Sequence, residues 1–127
     1  MNYDVLIIGA GPAGIFAALE VAEQRGLTCC ILERGPDIDE RERTEDILSG
    51  WGGAGAFSDG KLTLSPEVGG QLSNLLPEKD VRTLLTHVGH AWVAYGGSDK
   101  VYGTDQDAVA TISHRAQLAG LKLIHSE

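Results

Sequence analysis

DVLIIGAGPAGIFAALEVAEQRGLTCCILERG, residues 4–35, decides the fold. Val5–Ile8 is a continuous apolar run between Asp4 and Gly9. Such a run reads as a short strand buried on both faces, as in a parallel sheet. After GAGPAG, residues 15–24 carry a helical pattern rich in Ala and Leu, and Gly26 is its stop signal. Cys29–Leu32 is a second short apolar strand that ends at Glu33. Strand, glycine-rich turn, helix and strand make a βαβ unit over residues 4–33, with the right-handed crossover that such units almost always have. The fold expected from this stretch is α/β, a Rossmann-like three-layer domain built on a parallel sheet.

The turn carries the chemistry. Gly9, Gly11 and Gly14 stand in GxGxxG spacing, which is weak evidence alone and stronger after a buried strand and before a helix. Gly9 permits the tight turn, Gly11 has no side chain to hold a pyrophosphate away, and Gly14 lets the helix pack closely on the strands. The helix N-terminus offers free N–H groups and partial positive charge to phosphates. The whole turn, Gly9, Ala10, Gly11, Pro12, Ala13 and Gly14, is therefore a candidate dinucleotide site. Glu33 lies 19 residues after Gly14, where a carboxylate accepts hydrogen bonds from an adenosine ribose. A carboxylate there repels a 2′-phosphate, so the adenosine end is that of FAD or NAD, not NADP.

WGGAGAFSDGKL, residues 51–62, separates these two dinucleotides. A second glycine-rich loop has little purpose in a simple NAD dehydrogenase, whereas a flavin has a long ribityl chain and a flat ring to line. Gly52, Gly53 and Gly55 are expected to bring backbone N–H groups to the cofactor. Ser58, Asp59 and Lys61 are candidates for polar contacts, and Lys61 for an electrostatic influence on the flavin. Trp51 and Phe57 argue against a flexible linker.

Elsewhere the signals are plainer. DIDERERTED, residues 37–46, reads as one or two solvated helical turns, residues 61–64 as a short strand, and SPEVGG as turns. Val81, Leu84, Leu85, Val88, Trp92 and Tyr95 recur at helical spacing, so a helix is expected over residues 78–95, closed by Gly96 and Gly97. A further helix over residues 105–119, capped by Gly120, leads to the start of another strand at residues 121–125. His87 and His90 could share a helix face, but a metal site needs ligands that the sequence does not place, so no metal is expected.

The 127 residues suffice for one domain. A formal net charge of −8 argues against a nucleic acid or an anionic membrane surface as partner, and no apolar run approaches the ~20 residues of a membrane span. Cys29 and Cys30 are adjacent, without metal or CxxC spacing, and read as core thiols of a reducing compartment, with a vicinal redox pair as the other reading. With no basic leader before Asp4, a cytoplasmic location is expected.

Two stretches carry a resemblance. DVLIIGAGPAGIFAALEVA followed by CCILERG resembles the N-terminus of the glutathione-reductase-like flavoproteins. GWGGAGAFSDGKL resembles the GGAGxFSDGKL signature of a family of FAD-dependent dehydrogenases of undefined substrate, and the likeness runs through ERGPDIDER to SPEVGG. The resemblance implies FAD binding at Gly9, Gly11, Gly14 and Glu33. It adds Arg34 and Arg41 as contacts, and residues 53–61, including Gly53, Ala54, Gly55, Ser58, Asp59, Gly60 and Lys61, as a flavin-side loop. It implies an oxidoreductase, with NAD as a second substrate in a longer protein, but no catalytic residue. Members of the family are several hundred residues long, so this chain is expected to be an N-terminal portion, catalytically inactive alone and self-associating through uncovered apolar surface. An NAD-dependent dehydrogenase and a non-catalytic nucleotide-binding module are the alternative readings.

Overall fold

A computed structural model of the chain describes residues 2–123. The chain divides into two compact units, the first ending at Gly60 and the second beginning at Lys61.

The first unit is an incomplete Rossmann-like α/β arrangement. Strand β1 (Val5–Ile8) pairs in parallel with β2 (Cys29–Leu32), in the register Val5–Cys29 through Ile8–Leu32. Helix α1 (Pro12–Glu23) makes the crossover between them. It begins three residues before the apolar periodicity does, because Pro12 opens it behind Gly11. A proline at the first helical position has its φ already set and lacks only an N–H that would have no partner there. One face of the sheet packs on this helix: a side chain at Gly14 would stand 3.3 Å from Ile7 Cγ2. The other face is not covered. Leu6 is 58% exposed and Ile8 75% exposed. The expectation of strands buried on both faces is therefore corrected: parallel pairing is present, but helix lies on one face only among the described residues.

Asp4 and Thr28 fasten the entry end of the strand pair. The Asp4 carboxylate accepts from the Thr28 amide at 2.9 Å and from its hydroxyl at 2.7 Å. These bonds, that from the Thr28 side chain foremost, hold the Asp4 carboxyl below its ordinary pKa. Past β2 the chain makes one short 3-10 turn at Ile38–Glu40 and another at Gly53–Phe57. Cys29 and Cys30 are free and half-buried.

Among its described residues the second unit holds a short 3-10 turn at Leu72–Asn74 and two α-helices. Helix α2 (Glu78–Ala94) follows Pro77, carries Glu78 and Asp80 in its first turn, and buries Val81. Gly97 closes it by folding back on Trp92, its amide donating to the Trp92 carbonyl at 2.8 Å. Helix α3 (Gln106–Leu118) starts at Asp105, whose carboxylate accepts from the amides of Asp107 and Ala108, the usual stabilisation of a helix N-terminus. The strand expected at residues 61–64 is absent, that segment having no regular structure. Residues 121–123 of the expected last strand are likewise irregular, the rest of it lying outside the described residues. A short stretch with strand character forms a strand only beside another strand, and among the described residues neither stretch is paired with one.

Gly14 is the tightest point of the first unit, since a Cβ there would overlap the carbonyl oxygen of Gly9. We expect Gly14→Ala to cost about 1–3 kcal/mol or more, the range for forcing a methyl into a filled space. Gly11→Ala, whose Cβ would meet nothing within 4 Å, should cost almost nothing. Urea unfolding followed by far-UV circular dichroism compares the two, and equal stability of both variants would contradict the packing described.

Candidate functional site

Three stretches distant in sequence meet at the exit end of the strand pair: the glycine-rich turn, the end of β2 and the second glycine-rich loop. Gly9 turns the chain with φ +96°, a left-handed conformation that only glycine adopts without strain. Its amide donates to the Leu32 carbonyl at 2.8 Å and so prolongs the strand pairing by one bond. Ala10 is fully buried. Gly11 is extended, with φ −74° and ψ 178°, and precedes the first turn of α1. Nothing in the fold of this chain demands a glycine at Gly11, since a side chain would adopt that backbone freely and point into open space. Pro12 and Ala13 are exposed at the same helix end.

Glu33 joins the three stretches. Its Oε2 accepts from the Ala10 amide at 2.7 Å, while Oε1 accepts from the Gly35 amide at 2.8 Å and the Gly50 amide at 3.1 Å. The amide of Ala10, then that of Gly35, lower its carboxyl pKa from the ordinary 4.5 to about 2, partial desolvation opposing and the Gly50 amide adding to the effect. A carboxylate offers about four lone-pair positions. The amides of Ala10, Gly35 and Gly50 are hydrogen-bonded to it and the Arg34 amide acts on it as well, so the carboxylate is largely engaged within the chain.

The second loop lies on the turn itself. The Gly52 amide donates to the Ala10 carbonyl at 2.7 Å, and the Trp51 amide to the Pro36 carbonyl at 3.1 Å. A Cβ on Gly53 would stand 3.2 Å from Gly11 Cα and 3.4 Å from Pro12 Cδ, and one on Gly55 3.6 Å from Pro12 Cγ. These glycines bring backbone close to backbone. The expectation that Gly52 and Gly53 point N–H groups at a cofactor is corrected: Gly52 donates to Ala10, and Gly53 to the Gly50 carbonyl at 3.0 Å.

Arg41 braces that loop. Its Nη1 donates to the carbonyls of Trp51 (2.6 Å) and Gly53 (2.8 Å), and its Nη2 to those of Asp46 and, at 3.3 Å, Ile47. The guanidinium carbon stands 4.5 Å from the centre of the Phe57 ring. The resemblance made Arg41 a cofactor contact, but its terminal nitrogens are engaged within the chain. The Arg34 side chain is exposed. Ala54 and Gly55 lie in the 3-10 turn, and beyond it Ser58 accepts from the Gly60 amide at 3.2 Å. Asp59 is exposed, and Lys61 belongs to the second unit. Sequence spacing missed Gly35, Pro36 and Trp51, which with Glu33 and Asp37 line an open depression of about 380 Å3. The tryptophan beside the glycines was the one signal for it. No group of His, Cys, Asp and Glu that would hold a metal occurs among the described residues, His87 and His90 included.

Comparison with known proteins gives a family match and several partial relatives. Residues 4–40, which span the βαβ unit and the first 3-10 turn, match the model of the FAD binding domain. An uncharacterized protein of Clostridium beijerinckii is 45% identical over 71 residues, covering 46% of this chain and 13% of its own. Digeranylgeranylglycerophospholipid reductase of Picrophilus torridus is 46% identical over 52 residues, 40% of this chain and 13% of its own. The mitochondrial electron transfer flavoprotein-ubiquinone oxidoreductase of Oryza sativa is 40% identical over 43 residues, 30% of this chain and 8% of its own. The chain thus spans about an eighth of the length of the first curated relatives it matches. No solved structure matches. The match to the FAD binding domain over residues 4–40 supports FAD as the cofactor.

Proposed function

We propose that the first unit binds the adenosine diphosphate half of FAD in a flavin-dependent oxidoreductase of the glutathione-reductase-like kind. The observation that carries this reading is Gly11: a glycine that the fold does not need, at the N-terminus of a twelve-residue helix, with open space where a side chain would stand. A pyrophosphate fills such a space, receiving the N–H groups of the first helical turn and the positive end of the helix dipole. The amides of Ala13 and Gly14 belong to that turn.

The adenosine end lies toward Glu33. Its carboxylate stands beside the ribose, and the adjoining depression, walled by Pro36 and Trp51, takes the base. Its ionised state repels a second phosphate on the ribose. Gly53 and Gly55 then shape the site by their closeness to Gly11 and Pro12. FAD supplies hydride transfer at its N5 atom, and the chain's own residues supply binding and orientation. The names of the reductase and the ubiquinone oxidoreductase that match part of this chain support a redox role. The free cysteine pair fits a reducing compartment such as the cytoplasm.

Two experiments test the reading. Gly11→Val should reduce affinity for FAD and for ADP at least about tenfold, because a branched side chain occupies the pyrophosphate position, while circular dichroism stays that of the wild type. Equal affinity in both proteins would remove the turn from the site. The second experiment uses acid. Because the folded pKa of Glu33 lies near 2, below its ordinary 4.5, its contribution to stability is complete above pH 4.5 and is lost as the pH falls from 4.5 toward 2. Glu33→Gln removes that contribution, so its urea midpoint should fall below the wild type at neutral pH and converge with it in acid. A gap that stayed constant with pH would show that the carboxylate charge holds none of the three amides.

A further inference from the structure

We infer that Arg41 is a positioning residue for the FAD site, one that forms the second wall before the cofactor arrives and does not itself touch it; this rests on the reading of the first unit as an FAD site. Residues 46–53 make a loop whose two polarities are sorted. On one side its amides reach the turn and the end of β2: Gly50 to Glu33, Trp51 to Pro36, Gly52 to Ala10. On the other, the carbonyls of Asp46, Ile47, Trp51 and Gly53 converge on one guanidinium. Four carbonyl dipoles aimed at one point repel one another unless a cation stands there. Arg41 supplies it.

The shape of the group matters as much as its charge. A planar guanidinium presents donors in a fixed fork and stacks flat on an aromatic ring, which an ammonium does neither of. Here the fork serves carbonyls from both ends of the loop, and the Phe57 ring lies 4.5 Å below it. Gly50 is shaped to let the side chain through: a Cβ there would stand 2.9 Å from Arg41 Cδ and 3.0 Å from Nε. The brace holds the Gly53 carbonyl, and Gly53 lies so near the turn that a Cβ on it would come within 3.2 Å of the Gly11 Cα. Arg41 therefore sets how near the loop stands to the pyrophosphate position. A loop already in place costs the cofactor no ordering on binding.

The test compares the 127-residue chain with its Arg41→Lys and Arg41→Ala variants, in hydrogen exchange without cofactor and in titration with FAD. In both variants the amides of Gly50, Trp51 and Gly52 should exchange at least about tenfold faster, as expected for local opening. The amides of β1 should keep their protection, which shows that the fold persists. FAD affinity should fall at least about tenfold, and lysine should not rescue it although it restores the charge. Unchanged loop exchange with weakened FAD binding would make Arg41 a direct contact and overturn the proposal. A loosened loop with unchanged FAD affinity would overturn it too, leaving Arg41 a purely local brace. Wild-type chain that binds neither FAD nor ADP would refute the cofactor reading itself, an outcome distinct from a failure of the variants.

Discussion

The Glu33 carboxylate is the constraint on which the first unit depends. It lies just past β2, half-buried, and takes three backbone amides from residues 10, 35 and 50. Each amide would otherwise lack an acceptor at a place where strand pairing has stopped, and an unpaired buried N–H is costly. One side chain therefore closes the turn after β1, the turn after β2 and the approach of the distant loop. Asp4 does the corresponding work at the entry end of the strands, through Thr28. The two carboxylates pin a sheet of only two strands at both ends, and both have lowered pKa values for the same reason.

The loop at residues 46–57 is a second layer built on this constraint. Its glycines allow three close approaches, to Ala10, Gly11 and Pro12, and its carbonyl side is gathered by Arg41. The functional consequence is geometric. The turn proposed to take a pyrophosphate is tied to Glu33 through the Ala10 amide and lies close beside Gly53, so the chain's own contacts shape it. Preorganisation of this kind lets interaction with a cofactor appear as affinity.

Much of this was legible in the sequence, for physical reasons that differ from element to element. Strand, turn and strand over residues 4–33 are local, and the apolar runs and glycines mark them directly. Helix α2 was legible from its periodicity, and α3 from its composition and the Asp105 cap. Illegible were the relations between segments. Glu33 lies 23 residues from Ala10 and 17 from Gly50, and no periodicity announces such partners. Composition marked Arg41 only as one charge in DIDERERTED and the resemblance as a cofactor contact, yet it is the residue that collects four carbonyls. The glycines of the second loop correctly signalled a close approach, but the nearest body is the first turn. The apolar runs at residues 61–64 and 121–123 misled because strand propensity describes a fit to a neighbouring strand, and none pairs with them.

The central claim is that this unit holds the adenosine diphosphate end of FAD. Competition measures it most directly: FAD is bound to the chain and displaced in separate titrations by ADP and by FMN, with flavin fluorescence as the signal. The account predicts that ADP displaces FAD with one-to-one stoichiometry and that FMN does not. Displacement by FMN with no effect of ADP would place the flavin end, not the adenosine end, against the Gly9–Gly14 turn and would contradict the account.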